Sequence, residues 1–180
     1  SSLFAQTSYS SSSTSFSSYG LTSIPIEIID SGTITDLNIK INVDHLSSEG
    51  LRFCSLTLMS PYGNAVVLAA GDQIGGDWSG SDGGQLYNTI FDDEASTNIY
   101  SGIAPFAGPF TPANYSSAFD NQSIVGTWEL LINNRHSQGG TIDYTIMVET
   151  DNSDPDPVPY YGESYSSSST SFSSYGLTSI

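Results

Sequence analysis

Hydrophobic and polar residues alternate strictly along much of this chain. From Ile34 to His45, Leu37, Ile39, Ile41, Val43 and His45 fall on one face, and Asp36, Asn38, Lys40, Asn42 and Asp44 on the other. A period of two over this length predicts a half-buried strand. Thr141 to Thr150 repeats the design, with Ile142, Tyr144, Ile146 and Val148 inward and Asp143, Thr145 and Glu149 outward. Trp128, Leu130 and Ile132 form a third set. Leu56 and Leu58 run into Ser60-Pro61-Tyr62-Gly63-Asn64, and Val66 to Ala70 leaves it, the pattern of a hairpin. No stretch carries a helical period. Short strands divided by Gly, Asn and Asp turns predict an all-β, antiparallel sandwich over residues 24–150.

Outside that region the chain repeats itself. Ser8 to Ile24 reads SYSSSSTSFSSYGLTSI, and Ser164 to Ile180 reads the same 17 residues, beginning 156 positions later. Serine bias alone does not produce this, because Tyr, Phe, Gly, Leu and Ile all recur in place. The pattern suggests one domain with its linkers, drawn from a tandem array or a polymer. On this reading residues 1–23 are a Ser/Thr-rich connector, 151–163 an acidic Pro-rich linker, and 164–180 a second, extended connector. An extended tract of this length spans ~55 Å at ~3.3 Å per residue, enough to cross a small domain and reach the next. It could add to an exposed sheet edge. The residues expected to make assembly contacts are Tyr9, Phe16, Tyr19, Leu21 and Ile24, with their copies Tyr165, Phe172, Tyr175, Leu177 and Ile180. The tract's hydroxyls are also candidates for O-glycans.

Charge narrows the partners. Three basic residues, Lys40, Arg52 and Arg135, stand against 19 acidic ones, for a net charge of -16. Nucleic acid and anionic membrane surfaces are excluded as partners by that balance. No apolar run reaches the ~18 residues of a membrane span. All the acids lie between Glu27 and Glu163, so the two tracts are neutral and the region between them carries the charge. With charged residues at only 12%, the composition suggests an extracellular or cell-surface protein. The single cysteine, Cys54, has no intrachain partner and is expected to pack in the core.

The motifs, taken in order, resemble a known family. Ile24-Pro25-Ile26 precedes the alternating strand that ends in His45. Leu56-Thr57-Leu58-Met59-Ser60-Pro61-Tyr62-Gly63 follows, then Ile90-Phe91-Asp92-Asp93-Glu94-Ala95. Pro112, Phe119 with Asp120, Gly126-Thr127-Trp128-Glu129-Leu130 and Gly140-Thr141-Ile142 complete the series. Over about 125 residues this is similar to the P domain, or Homo B domain, that follows the catalytic domain of kexin-like and bacterial subtilisin-like proteases. The resemblance implies a jelly-roll β-sandwich and no catalysis. Ser55 stands where the family usually has an acid, Tyr144 replaces a late tryptophan, and Leu46 to Phe53 is longer than the usual loop.

Candidate chemistry is sparse. The only histidines are His45 and His136, and neither a Gly-x-Ser-x-Gly elbow nor a His-Glu-x-x-His motif is present. The expectation is no enzyme. Asp72, Asp77 and Asp82 in a Gly-rich loop, with Asp92 and Asp93, are candidate Ca²⁺ ligands, because carboxylates and loop carbonyls suit that ion. Their spacing is not that of an EF-hand, and solvated loop acids are the alternative. Asn114 and Asn121 open two glycosylation sequons, so covalent glycans are candidate partners. Tyr100, Phe106, Phe110 and Tyr115 either form a sugar-binding platform or cover the core. The leading expectation is a non-catalytic structural subunit of an extracellular fibre or tandem-repeat protein, bound to copies of itself. The alternatives are an accessory P domain of a secreted subtilisin-like protease and a Ca²⁺-dependent adhesin or carbohydrate-binding module.

Overall fold

A computed structural model of the chain describes residues 6–47, 50–71, 85–103 and 105–151. Ten strands form two sheets packed face to face: β1 (Thr7–Ser10), β2 (Thr14–Phe16), β3 (Gly20–Ile28), β4 (Thr33–His45), β5 (Cys54–Met59), β6 (Ala65–Ala70), β7 (Gln85–Phe91), β8 (Gly108–Phe110), β9 (Gly126–Asn134) and β10 (Gly140–Asp151). The first sheet runs β1-β10-β4-β7-β8 with β2 also on β10, and the second runs β3-β9-β5-β6. The fold is the expected all-β sandwich. All strand pairs are antiparallel except β7 with β8. Helical turns among the described residues are short 3-10 segments, and no helix there is long and apolar enough to cross a membrane.

The alternating segments sit where their periodicity places them. On β4, Leu37, Ile39, Ile41, Val43 and His45 are all buried. On β10, Ile142, Tyr144, Ile146 and Val148 face the same interior, and Trp128, Leu130 and Ile132 answer from β9. Ser60 to Asn64 turns β5 into β6, with Gly63 at φ 84°, a left-handed conformation that glycine adopts without a Cβ clash. Tyr144 ties the sheets together: its hydroxyl lies 3.0 Å from the Ile24 carbonyl and 3.3 Å from that of Trp128. The indole N–H of Trp128 donates to the Ile124 carbonyl at 2.8 Å, and its ring meets Phe119 edge-on at 5.1 Å.

Within the tract expected as a connector, β1, β2 and the first residues of β3 are strands of the sandwich. Ser and Thr side chains fit a pleated edge, and the tract supplies two apolar anchors for the core, Phe16 and Ile24. Asp151, expected to open the acidic linker, is the last residue of β10, and the rest of that linker at 152–163 and the second tract at 164–180 lie outside the described residues.

Candidate functional site

The first repeated tract forms one edge of both sheets. In β1, Thr7 to Ser10 pair with Val148 back to Thr145, and in β2, Thr14 to Phe16 pair with Ile142 back to Gly140. Ser11 bridges the two strands: its N–H donates to the Tyr144 carbonyl at 2.9 Å, and its hydroxyl accepts from the Tyr144 N–H at 3.0 Å. The chain then turns through Ser17 to Tyr19 and crosses to the other sheet. Asn134 holds that crossing by donating from its side chain to the Ser17 carbonyl at 2.9 Å. Tyr19 takes a left-handed φ of 46°, a conformation of real strain for an aromatic residue. Gly20 to Ile28 then pair with Asn134 back to Gly126. Pro25 is tolerated because β3 is an edge strand, with a partner on one side only.

The five expected assembly residues of this copy divide by face. Phe16 is 4% exposed and Ile24 3%, both in the core. Tyr9 packs partly against that core, and its hydroxyl donates to Asp30 at 2.9 Å. Burial, then the Asp30 carboxylate, push its phenol up to about 12. Tyr19 and Leu21 face solvent, 71% and 64% exposed. Their copies, Tyr165, Phe172, Tyr175, Leu177 and Ile180, lie outside the described residues. The signal for the docking in the sequence is the pair of apolar residues Phe16 and Ile24, one on each side of the turn at Ser17 to Tyr19. The run of serines between and around them masks it.

Phe16 also meets the one buried histidine. Its ring lies 5.5 Å from that of His45, which in turn meets His136 edge-on at 5.3 Å. His45 Nδ1 accepts the Ser47 N–H at 3.0 Å, and Nε2 is buried without a partner. Burial holds this imidazole below its ordinary value of 6.5. The unfolded chain therefore takes up the proton first, so the stability from neutral His45 is complete above about pH 6.5 and is lost as pH falls below it. Urea melts should show a falling midpoint from pH 7.5 to 5.5, and His45→Asn should flatten that slope. A slope unchanged in the variant would assign it to another group. Cys54 is buried, and its thiol, pushed up to about 12 by burial, stays protonated.

Asp92 and Asp93 are brought together with Asp36, Asp120 and Glu149, but as structural groups. Asp93 holds a turn: one oxygen accepts the Ser116 N–H at 2.9 Å and the other the Ser117 N–H at 2.8 Å, closing the segment from Ser116 to Phe119. Asp92 accepts the Glu94 N–H at 2.8 Å. Among the described residues, no group of three or more His, Cys, Asp or Glu is placed to hold a metal ion. Asp72, Asp77 and Asp82 lie outside the described residues. Burial, followed by repulsion from Glu149, Asp92 and Asp93, raises the Asp36 carboxyl, and Asp120 is raised for similar reasons. Asp36→Asn should therefore stabilise the fold at pH 7. The gain should stay below ~1 kcal/mol for a half-exposed group, and should shrink in high salt as screening replaces the relief. Thermal melts at low and high ionic strength check both points.

Asn114 and Asn121 are exposed, the latter at a left-handed φ of 64° that asparagine tolerates. Of the aromatic set, Phe106 and Phe110 are buried, Tyr100 is partly buried with its hydroxyl accepting the Ala70 N–H, and only Tyr115 is well exposed. Phe106, Phe110 and Tyr100 cover the core, which leaves Tyr115 alone of the four at the surface. Shallow grooves lie beside β2 and β10. One, of about 320 Å³, is lined by Ser15, Phe16, Ser18, Leu46 and Gly139 among others.

No protein-family model matches the chain, and no curated protein matches it. Among solved structures, it is similar to the serine protease of Aeromonas sobria, with 14% identity and a TM-score of 0.48 over 83% of this chain and 28% of that one. It is likewise similar to the same protease in complex with its chaperone, with 15% identity and a TM-score of 0.47 over 82% of this chain and 27% of that one. The chain thus spans little more than a quarter of the protease chains it matches.

Proposed function

We propose that this chain is a non-catalytic structural module of an extracellular assembly, in which β-sandwiches are set in series through the repeated tract. One observation carries the reading: residues 8–24 complete an edge of both sheets, and the same 17 residues recur beyond the sandwich at 164–180. A sequence able to build that edge once is able to build it again on another sandwich. Neighbouring modules, each strongly acidic, repel one another. A neutral tract with aromatic anchors joins them without adding charge, and the exposed Tyr19 and Leu21 are free to touch the next module. Glycans on the exposed Asn114 and Asn121 would add a polar cover to the module. Any Ca²⁺ in the assembly would draw its ligands from Asp72, Asp77, Asp82, Asp92 and Asp93.

The order of motifs favours a second reading, an accessory P-domain-like module of a secreted subtilisin-like protease. Imaging the native material separates the two. Rows of equal densities, one per 156 residues, support the serial module. Single sandwiches, each attached to a larger catalytic body, would replace it with the second reading.

A further inference from the structure

We infer that a groove on the outer face of the first sheet, between Tyr87 and the carboxylates of Asp44 and Asp143, binds an uncharged, polyhydroxylated ligand of the oligosaccharide class. The site is separate from the pairing of the repeated tract, and it stands whether or not the modules are set in series.

Strand register builds the groove. Ser15 of β2, Thr141 of β10, Asp44 of β4 and Gln85 of β7 lie side by side in one exposed row. At ~4.8 Å between strands, that row spans ~14 Å. Beside it run Asp143 and Asn42, opposite each other on β10 and β4. On β7 the register breaks at this level: Ile41 pairs with Thr89 but Val43 with Leu86, so Tyr87 and Asn88 together face Asn42. Two residues opposing one make a bulge, a device that re-aims side chains. Leu86 and Thr89 are buried, and the two residues between them are both exposed. Asn88 takes a left-handed φ of 48°, which asparagine tolerates, and its N–H donates to Asn42 Oδ1 at 2.7 Å. The same Asn42 donates from Nδ2 to Asp143 Oδ1 at 2.8 Å. One amide thus fixes both the bulge that leaves Tyr87 63% exposed and the carboxylate across from it. Gln85 fixes Asp44 in the same way, donating to its Oδ1 at 3.0 Å. The groove lined by these side chains has a volume of about 380 Å³. A second, of about 320 Å³, shares Asp44 and Thr141 with it and continues towards Ser15.

The lining selects the ligand. Asp44 and Asp143 each hold an amide on one oxygen and keep the other for a ligand. A carboxylate positioned in this way accepts charge-assisted hydrogen bonds from hydroxyl groups, and Thr141 adds a hydroxyl that donates or accepts. Tyr87 offers an apolar ring face with a polar tip, a surface for the C–H face of a sugar ring. Two carboxylates and no basic side chain in the lining repel an anion, in keeping with the net charge of -16. An apolar ligand would strip water from the polar row without replacing its hydrogen bonds. A metal ion finds no group of three or more His, Cys, Asp or Glu placed to hold it among the described residues. A cationic peptide would be drawn to the same carboxylates, but it leaves the ring and the row of amide and hydroxyl groups unused. Two adjoining grooves along one row favour a ligand of several rings over a single one.

Isothermal titration of the full chain with cellohexaose, laminarihexaose, mannohexaose and chitohexaose tests the site, with hexalysine as the cationic comparison. The expected result is binding of at least one hexaose. Tyr87→Ala should weaken it ~10-fold, the upper end of one aromatic contact. Asp143→Asn keeps the shape of the side chain and removes its charge, and a ~10-fold loss is expected there too. Tyr115→Ala, which removes an exposed ring that does not line the groove, should leave the affinity unchanged. Thermal melts of all three variants establish that the fold is intact, and Asp143→Asn decides the matter by itself if Tyr87→Ala disturbs the bulge. Failure of every hexaose to bind overturns the proposal. So does binding that survives both Tyr87→Ala and Asp143→Asn, because the ligand then sits elsewhere. Binding of hexalysine alone, lost in Asp143→Asn, would replace the sugar with a cationic peptide.

Discussion

Gly139→Ala is expected to strip the first tract from the first sheet. A Cβ at Gly139 would stand 2.1 Å from the Phe16 carbonyl oxygen, a backbone atom that no rotamer change can move away. Gly139 and Gly140 form a pair of residues without side chains where β2 lies against β10, and a Cβ on Gly140 would likewise meet the Asp44 carbonyl at 2.3 Å. β2 must therefore retreat, Phe16 must leave the core, and the hydrogen bonds from Asn134 to Ser17 and from Tyr19 to His136 must break. Overpacking of this kind costs ~1–3 kcal/mol even where the neighbours can shift. Loss of the Phe16 anchor would add to that. Limited proteolysis should show new cleavage between Ser10 and Tyr19 under conditions that leave the unaltered chain whole. Resistance to protease equal to that of the unaltered chain would show that β2 is not held at this contact.

How far the sequence reveals this arrangement depends on which residues carry the pattern. β4, β9 and β10 alternate over nine or more residues, and burial on one face imposes that period, so their existence and inward faces can be read directly. The β5–β6 hairpin is equally open, because Pro61 and Gly63 mark its turn. The first tract is different. Its strands are short, four and three residues in β1 and β2, and most of their side chains are serine or threonine. Hydroxyl residues suit a linker and a sheet edge alike, and only long-range pairing with β10 decides between them. The identity of the two tracts is plain in the sequence, but what the tract does becomes visible only when one copy is docked. For Asp92 and Asp93 the sequence is silent for a related reason. Asp92 and Asp93 have the chemistry of calcium ligands, yet the oxygens of Asp93 are taken by the backbone of a distant turn at Ser116 and Ser117.

Trp128→Ala should be the most damaging change to the sandwich itself. The side chain is fully buried near the start of β9, opposite Ile26 of the edge strand β3. Truncating a buried tryptophan costs ~3–5 kcal/mol through lost transfer energy and the cavity left behind. Two local effects push the loss towards the upper end. The edge-on contact with Phe119 disappears, and the Ile124 carbonyl loses its buried donor. An unpaired buried carbonyl alone costs ~1–3 kcal/mol. Against a total stability of ~5–15 kcal/mol for a domain of this kind, that loss leaves little margin. Trp128→Phe keeps a ring against Phe119 and gives up the indole N–H, so its loss should be clearly smaller. Urea unfolding followed by circular dichroism distinguishes these cases, with the midpoint shifting and the slope unchanged if the fold stays two-state. If Trp128→Ala unfolded within ~1 kcal/mol of the parent, the size of an ordinary surface change, the two sheets would not be joined through this residue, and the path from the tract's Ile24 into the core would have to run through Phe16 instead.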